Sequence, residues 1–158
     1  MKLSTKGRYG LRALLDLAVQ SEDELVSISS ISARQHISEA YLEQLMARLK
    51  KAGLVESVRG AQGGYRLAKK ASEISVGDVL RALEGSIDAV TCPGNGDVTT
   101  GEAACAGAEL CVTKYVWQRI NESITRTVDE IKLDTLVEES RKVVPDSVKE
   151  AVTEQCSY

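Results

Sequence analysis

The first third of the chain contains three segments in which apolar residues recur at helical spacing. They predict helices over about residues 8–20, 27–35 and 39–52, with Thr5 as the N-cap of the first and Ser38 as the N-cap of the third. The inward-facing positions are Leu11, Leu14, Leu15 and Ala18 in the first helix, Ile28 and Ile31 in the second, and Leu42, Leu45, Met46 and Leu49 in the third. A tight turn at residues 36–38 joins the second and third helices.

Two segments with strand-like alternation follow, and a glycine-rich turn joins them. Residues 54–59 and 65–68 alternate in the way typical of strands, and residues 60–64 include three glycines. Three helices followed by a two-stranded hairpin predict a winged helix-turn-helix, the fold in which a recognition helix enters the major groove of DNA.

The rest of the chain predicts two main helices separated by an irregular segment. Residues 75–78 have a capping-box pattern that opens a helix to about Glu84, and the many glycines of residues 88–111 predict a loop. A long helix then begins at Val112. Its apolar stripe consists of Val116, Ile120, Ile124, Val128 and Ile131. We expect this stripe to pack on the same helix of a second copy, with packing inside the subunit as the alternative.

These elements predict a mainly α fold with a small β-wing, that is, a winged helix-turn-helix followed by a long dimerisation helix. We expect a DNA-binding domain at residues 1–86 and a cysteine-containing loop at 87–111. The dimerisation helix and a short helix after it would occupy 112–144, and a mobile polar tail would occupy 145–158.

The charge of the chain is unevenly distributed. The net charge is −3, yet residues 1–70 carry +5 and residues 71–158 carry −8. The basic first part keeps nucleic acid as a partner in spite of the acidic whole. No apolar run approaches the ~20 residues of a membrane span, so we expect a cytoplasmic protein without a membrane partner. The sequence has neither a nucleophile–base pair nor a phosphate-binding glycine loop, which argues against an enzyme.

The predicted third helix carries side chains that suit the reading of base edges. Gln44 can pair with adenine and Glu43 can accept from cytosine, while Glu43 disfavours sites without such a cytosine because it repels phosphate. Arg59, at the glycine-rich turn of the wing, suits a narrow A·T-rich minor groove. The predicted DNA-binding residues are Lys6, Ser38, Ala40, Tyr41, Glu43, Gln44, Arg59 and Gly60. Further phosphate contacts are expected from Arg8, Arg48, Lys50 and Lys51.

Three of the four cysteines, Cys92, Cys105 and Cys111, lie close together in the predicted loop. No two of them have the short spacing that is common in zinc fingers. Three thiolates with one ligand of another kind therefore favour an iron–sulfur cluster, and three unligated thiols are the alternative. Candidates for the fourth ligand are the carboxylates Asp97, Glu102 and Glu109, and also His36 and Cys156. We expect His36 to be structural and Cys156 to be a free thiol of the tail.

Several stretches together resemble the IscR family of iron–sulfur cluster regulators. They are residues 3–9, residues 37–45 in the recognition helix, residues 53–60 and 63–65 in the wing, and residues 111–114, and the similarity extends over about residues 1–135. The resemblance implies a homodimeric winged-helix transcription factor in which a cluster held by each subunit controls which DNA sites are bound.

The same resemblance assigns roles to individual residues. It implies Cys92, Cys105 and Cys111 as ligands of the cluster, with 2Fe–2S favoured and 4Fe–4S as the alternative. It also implies that Tyr41, Glu43, Gln44 and Arg59 contact the DNA.

The chain departs from this family at four places. The loop between the first two cysteines is longer than usual, and Lys114 stands where the iron–sulfur regulator has a histidine ligand. Arg8 and Arg12 occupy first-helix positions that supply ligands in some relatives, and Ala40 replaces a polar residue. The fourth ligand and the cluster type therefore stay open. A cluster-independent repressor of the same fold, responding to a metabolite or a partner protein as related regulators of cysteine metabolism do, is the alternative function.

Overall fold

The computed structural model describes residues 4–20, 24–90 and 110–143 of the chain. The elements in chain order are α1 (Thr5–Gln20), α2 (Ile28–Gln35), α3 (Glu39–Lys51), β1 (Val55–Val58), β2 (Gly64–Leu67), a 3₁₀ turn (Ala71–Glu73), α4 (Val76–Glu84), α5 (Val112–Glu130) and α6 (Leu133–Val143). The strands pair antiparallel, with Val55 opposite Leu67 and Val58 opposite Gly64. Over the described ranges the fold is mainly helical with a two-stranded wing, as the sequence predicts.

α1 lies at the centre of the structure and is buried on more than one side. It packs against α2, α3, α4 and α6. The predicted apolar face is therefore too narrow: Ala13 and Leu17 also have no exposed surface, whereas Leu11 and Leu15 are only partly buried. The helix also begins at Thr5 rather than near Arg8, so Thr5 is its first residue and not its N-cap.

α3 buries the stripe that its spacing predicts. This stripe consists of Leu42, Leu45, Met46 and Leu49, each at most 1% exposed. His36, with φ 53° and ψ 44°, makes the left-handed turn between α2 and α3, and Gly53, with φ +70°, follows the end of α3. Ser38 is the N-cap residue, but its side chain makes no capping bond. Its carbonyl instead accepts the N–H of Leu42.

α4 packs closely between α1 and α5. Its capping box forms as predicted, since Ser75 Oγ accepts the N–H of Asp78 and the carboxylate of Asp78 accepts the N–H of Ser75. A Cβ atom at Gly10 would overlap with Leu83 of α4, and one at Gly77 would overlap with Asp129 of α5. Because Gly10 and Gly77 have no side chains, α4 can lie close to both α1 and α5.

α5 differs from the other helices because none of its residues is buried in this chain. Val116 is 50% exposed and Ile120 is 37% exposed. The N-terminal part of the predicted stripe is therefore not packed against any other element of the described residues. Val128, nearer the end, packs against Val76 and Leu80 of the α4 region. Ile131 lies outside the helix, contrary to the prediction, because α5 ends at Glu130.

α6 returns to the core that α1 organises. Leu133 is 1% exposed and Val137 is 8% exposed, and both belong to the same cluster of buried residues as α1 and α3. The N–H of Leu133 donates to the carbonyl of Ile74, which ties α6 to the start of α4. Within residues 4–20, 24–90 and 110–143, no helix has the length and apolar character needed to cross a membrane.

Candidate nucleic-acid interface and cysteine segment

The outer face of α3 presents the predicted base-reading side chains to solvent. Ser38, Ala40, Glu43 and Gln44 are all exposed, while Tyr41 is half-buried. The opposite face of the helix packs on the core, so these side chains are held at the surface by a rigid element. The arrangement suits a recognition helix, whose first turns meet base edges in the major groove.

Tyr41 packs against the core with its ring and has its hydroxyl at the surface. Its ring stands edge-on to that of Tyr9, at 87° and with 6.2 Å between ring centroids, and the ring packs against the core. Its hydroxyl lies 3.4 Å from Thr5 Oγ1 at the exposed junction of α1 and α3. The ring is thereby fixed by packing, and the polar end stays at the surface where a phosphate could be met.

The contact between Thr5 and Tyr41 joins the first turn of α1 to the start of α3. Lys6 belongs to this turn and is exposed. The structure therefore brings the predicted phosphate-binding Lys6 to the same end of the recognition helix as Tyr41.

The wing adjoins the other end of α3. Lys50 Nζ, in the last turn of α3, forms a hydrogen bond with Ser57 Oγ of β1. Arg59 and Gly60 follow β1 at the hairpin turn and are exposed, and Gly60 has φ +129°. Because L side chains rarely adopt this φ, the glycine is required for the tight wing tip beside Arg59. The first turn of α1 and strand β1 of the wing thus contact α3 at opposite ends.

Some of the predicted phosphate-binding cations have hydrogen-bond partners inside the chain. Arg48 Nη1 donates to the carbonyl of Leu83 at 3.3 Å, which draws the guanidinium towards α4. All four of Arg8, Arg48, Lys50 and Lys51 are exposed. Arg48 and Lys50 each have one hydrogen-bond partner inside the chain, the Leu83 carbonyl and Ser57 Oγ.

The exposed side chain of Arg12 is bound to the end of α2. Its Nε donates to Gln35 Oε1 at 3.2 Å and its Nη2 donates to the Gln35 carbonyl at 3.0 Å. The guanidinium also lies 5.7 Å from the centre of the Tyr9 ring. At the first-helix position that supplies ligands in some relatives, this chain thus has a structural cation.

Cys111 is the predicted ligand that the structure describes. It is the N-cap residue of α5, and its Sγ lies 3.1 Å from Thr113 Oγ1. This hydrogen bond, together with the N–H of Lys114, holds the pKa of the Cys111 thiol below its ordinary value. A thiolate at a helix N-terminus is a suitable soft ligand for iron. In the described part of the chain no group of three potential metal ligands occurs.

Several other predicted groups lie outside the described residues. They are Cys92, Cys105 and Cys156 together with the carboxylates Asp97, Glu102 and Glu109. Lys114, which stands at the histidine position of the family, is half-buried and donates its N–H to the Cys111 carbonyl at 3.3 Å.

Asn121 of α5 is a contact that the sequence analysis missed. Its Oδ1 accepts the N–H of Ala89 at 2.9 Å and its Nδ2 donates to the carbonyl of Val90 at 3.2 Å. Both described ends of the cysteine segment, Val90 and Cys111, therefore lie along α5, about 15 Å apart by the rise of the helix. An asparagine in the middle of a polar helix surface gives no sequence signal for such a contact.

Comparisons with known proteins agree with this geometry. The profile of the Rrf2 family, described as iron-dependent transcriptional regulators, matches residues 3–139. The HTH-type transcriptional regulator IscR of Klebsiella pneumoniae (strain 342) is 46% identical over 137 residues, which are 87% of this chain and 80% of the relative.

Solved structures give the same picture. The structure of T. potens IscR is 41% identical and has a TM-score of 0.68, covering 92% of this chain and 93% of that one. CymR, the global cysteine regulator of B. subtilis, is 35% identical with a TM-score of 0.70, covering 88% of this chain and 98% of its own. The fold, the exposed recognition helix and these similarities show a DNA-binding transcription regulator rather than an enzyme, and the chain belongs to the Rrf2 family.

Proposed function

We propose that this regulator is a homodimer whose operator binding is controlled by an iron–sulfur cluster held by Cys92, Cys105 and Cys111. The observation that carries the proposal is the position of Cys111, whose thiol lies at the N-terminus of α5, a helix with no buried residues. The match of residues 3–139 to a family described as iron-dependent transcriptional regulators supports it. The relative named HTH-type transcriptional regulator IscR in Klebsiella pneumoniae (strain 342), 46% identical over 137 residues, supports the same class of regulator.

The proposed DNA interface consists of the exposed face of α3, the first turn of α1 and the wing. Glu43 and Gln44 would read base edges in the major groove, and Arg59 would enter the neighbouring minor groove. Backbone phosphates would be met by Lys6 and the Tyr41 hydroxyl. The remaining proposed contacts are Ser38, Ala40 and Gly60.

The proposed cluster site combines the Cys111 thiolate with Cys92 and Cys105 of the segment that begins after Val90. Twenty residues, 91–110, join Val90 to Cys111. Because they need span only about 15 Å, the segment has the length to fold around a metal centre. When bound, the cluster would join the three thiolates. This link would depend on the supply of iron and on the redox state. We favour 2Fe–2S, with 4Fe–4S as the alternative.

The proposed dimer rests on the uncovered stripe of α5. Val116 and Ile120 are 50% and 37% exposed, and Tyr115 beside them is 67% exposed. A long helix with an apolar stripe gains stability by packing on a partner helix. A two-fold arrangement would place two recognition helices on one DNA duplex, which matches the symmetry of palindromic operators.

Two contacts connect the cysteine segment and α5 to the DNA-binding region. Asn121 holds Ala89 and Val90 against α5. Arg81 of α4 donates to Asp129 of α5 at 2.6 Å. We propose that ordering residues 88–111 against α5 sets the angle and spacing of the two winged domains, and hence which half-site separation is bound. The division into residues 1–86, 87–111, 112–144 and 145–158 is part of this proposal.

Anaerobic purification tests the cluster directly. We expect a coloured protein with iron and acid-labile sulfide in equal amounts, and their number per subunit would identify the cluster type. Cys111→Ala should abolish the chromophore, whereas Cys156→Ala, the matched control, should keep it. A colourless wild-type protein that also resists reconstitution would contradict the cluster and leave the DNA-binding regulator standing.

The similarity to CymR of B. subtilis, named a global cysteine regulator, favours one second candidate. It is a repressor of the same fold that responds to a metabolite or a partner protein without a cluster. Replacing Cys92, Cys105 and Cys111 together distinguishes the two functions. Unchanged operator affinity in the triple variant, compared with the iron-loaded wild type, would favour the second candidate.

A further inference from the structure

The carboxylate of Glu84 is bound to the N-terminus of α1, although Glu84 is the last residue of α4. Its Oε1 accepts the N–H of Gly7 at 2.8 Å and the N–H of Ser4 at 3.0 Å. Ser4 Oγ lies 2.6 Å from Oε1 and 2.8 Å from Oε2, so its hydroxyl donates to the same carboxylate. The first N–H groups of a helix have no partners within the helix. Glu84 therefore caps α1 from a distant part of the chain.

The packing around Gly7 is adapted to this contact. A Cβ atom at Gly7 would lie 2.8 Å from Glu84 Oε1 and 3.1 Å from Leu80 Cδ2, both of α4. A side chain at this position would therefore displace the Glu84 carboxylate and press on Leu80. The approach of the two helices is thus close enough for Glu84 to fix the backbone of the α1 N-terminus directly.

The turn that Glu84 fixes is the one that reaches the recognition helix. Ser4 Oγ, held by Glu84, accepts the N–H of Lys6 at 3.1 Å. Oγ1 of Thr5, the residue before Lys6, lies 3.4 Å from the Tyr41 hydroxyl. Glu84 is half-buried behind this turn. It is therefore placed to hold the turn without contacting DNA itself.

The contact also decides how the turn can meet a phosphate. Helix N-termini commonly bind phosphates through their N–H groups. In α1 the N–H groups of Ser4 and Gly7 already donate to Glu84. Those two N–H groups are therefore not available to a phosphate, and the charged donor in residues 4–7 is the Lys6 ammonium.

We propose that Glu84 is a positioning residue of the DNA interface: it holds residues 4–7 so that Lys6 meets a backbone phosphate beside the recognition helix. This inference rests on the proposed DNA interface. It carries a prediction opposite to simple electrostatics, because removing a negative charge near DNA would by itself strengthen binding. A positioning role requires that the same change weaken binding.

The test uses a duplex selected from randomised DNA by the wild-type protein, with a scrambled duplex as the non-specific probe. Glu84→Ala should bind the selected duplex about three- to tenfold more weakly and lower the salt dependence by about one phosphate contact, as Lys6→Ala should. Glu84→Gln keeps one acceptor oxygen and should restore part of the affinity. The matched control is Glu73→Ala, which removes a glutamate that caps the 3₁₀ turn at Lys70 and should not weaken binding.

The double variant Lys6→Ala with Glu84→Ala decides between positioning and general damage. If Glu84 acts through Lys6, the double variant should bind no more weakly than Lys6→Ala alone, within about twofold. The inference would be overturned if the losses of affinity of the two single variants multiplied in the double variant. It would also be overturned if the Glu84→Ala protein bound as tightly as wild type. Should Glu84→Ala fail to fold, Ser4→Ala removes the hydroxyl link and must show the same loss and non-additivity. A wild-type protein that prefers no selected duplex over the scrambled one would instead contradict the proposed interface.

Discussion

The winged head and α5 bury their apolar side chains in different ways. Helices α1 to α4, the wing and α6 share a core whose largest members, such as Leu14, Leu49 and Leu133, are at most 1% exposed. α5, with nineteen residues, buries none of them in this chain. Both regions have helical periodicity, so the period of the pattern does not distinguish a helix that completes a core from one that leaves its stripe uncovered.

The difference assigns distinct tasks to the two regions. The head holds the recognition helix rigidly, because the buried face of α3 belongs to the common core. α5 touches the head mainly through α4, by Arg81 with Asp129 and by Val128 with Val76 and Leu80. A second copy or a changed cysteine segment can therefore act on α5 without unfolding the head. The following variants test this contrast, in order of their expected effect on the free energy of unfolding.

The largest loss is expected from a cavity in the shared core. Leu49→Ala removes a side chain with no exposed surface and should lower the free energy of unfolding by about 3 kcal/mol. Ile120→Ala, at a position of α5 that is 37% exposed in this chain, should lower the free energy of unfolding of the single subunit by less than about 1 kcal/mol. Urea unfolding at several protein concentrations measures both values and separates the head from any dimer contribution. Equal losses of unfolding free energy in the two variants would contradict the view that α5 lies outside the shared core.

A smaller loss is expected where α4 meets α1. Gly10→Ala places a methyl group against buried Leu83 and should cost about 2 kcal/mol through overpacking. Gly77→Ala makes the matching change on the α5 side, where the obstructing atoms belong to the Asp129 carboxylate. This side chain is 38% exposed and can swing away, so we expect less than about 1 kcal/mol. Thermal unfolding of both variants measures the comparison, and a larger loss for Gly77→Ala would show that α5 is integral to the head.

Much of this fold could be predicted because its determinants are local. The capping box of Ser75 and Asp78, the glycine after α3 and the alternation of the wing act over a few residues. The start of α1 could not be predicted, because Glu84, about eighty residues away, accepts its first N–H groups. The candidate DNA surface followed from the recognition-helix pattern. The Asn121 contact did not, since a single polar residue does not specify a partner 32 residues distant.

A change on the α5 stripe should alter assembly and leave the head almost unaffected. Ile120→Glu places a charge where the proposed dimer packs and should yield a monomer, because an unpaired buried charge is strongly disfavoured. Analytical ultracentrifugation measures the mass, and far-UV circular dichroism should show retained helices. Gln118→Glu, on the same helix but off the stripe, is the matched control and should leave the mass unchanged. A mass for Ile120→Glu equal to that of wild type would place the subunit contact elsewhere.

The smallest expected effect concerns acid stability at the two faces of α4, where Glu84 contacts α1 and Asp78 adjoins α5. Partial burial alone would raise the pKa of Glu84, but the hydrogen bonds from the Ser4 hydroxyl and from the Gly7 and Ser4 N–H groups, together with Lys6, bring it below the ordinary value of 4.5. For Asp78, burial is likewise outweighed by the bonds from Ser75 and Arg81, so its pKa lies below 3.8.

A carboxylate whose pKa is lower in the folded than in the unfolded chain stabilises the fold above the unfolded pKa. That stabilisation is lost as the pH falls through the folded pKa. The stability advantage of wild type over Glu84→Gln should therefore be full near pH 6 and shrink as the pH falls below about 4.5, when urea unfolding is followed on cluster-free protein. An advantage that grew towards acid pH would mean that desolvation, not the capping of α1, governs Glu84. Asp78→Asn should show the same sign at a lower pH, because its carboxylate titrates from a lower ordinary value.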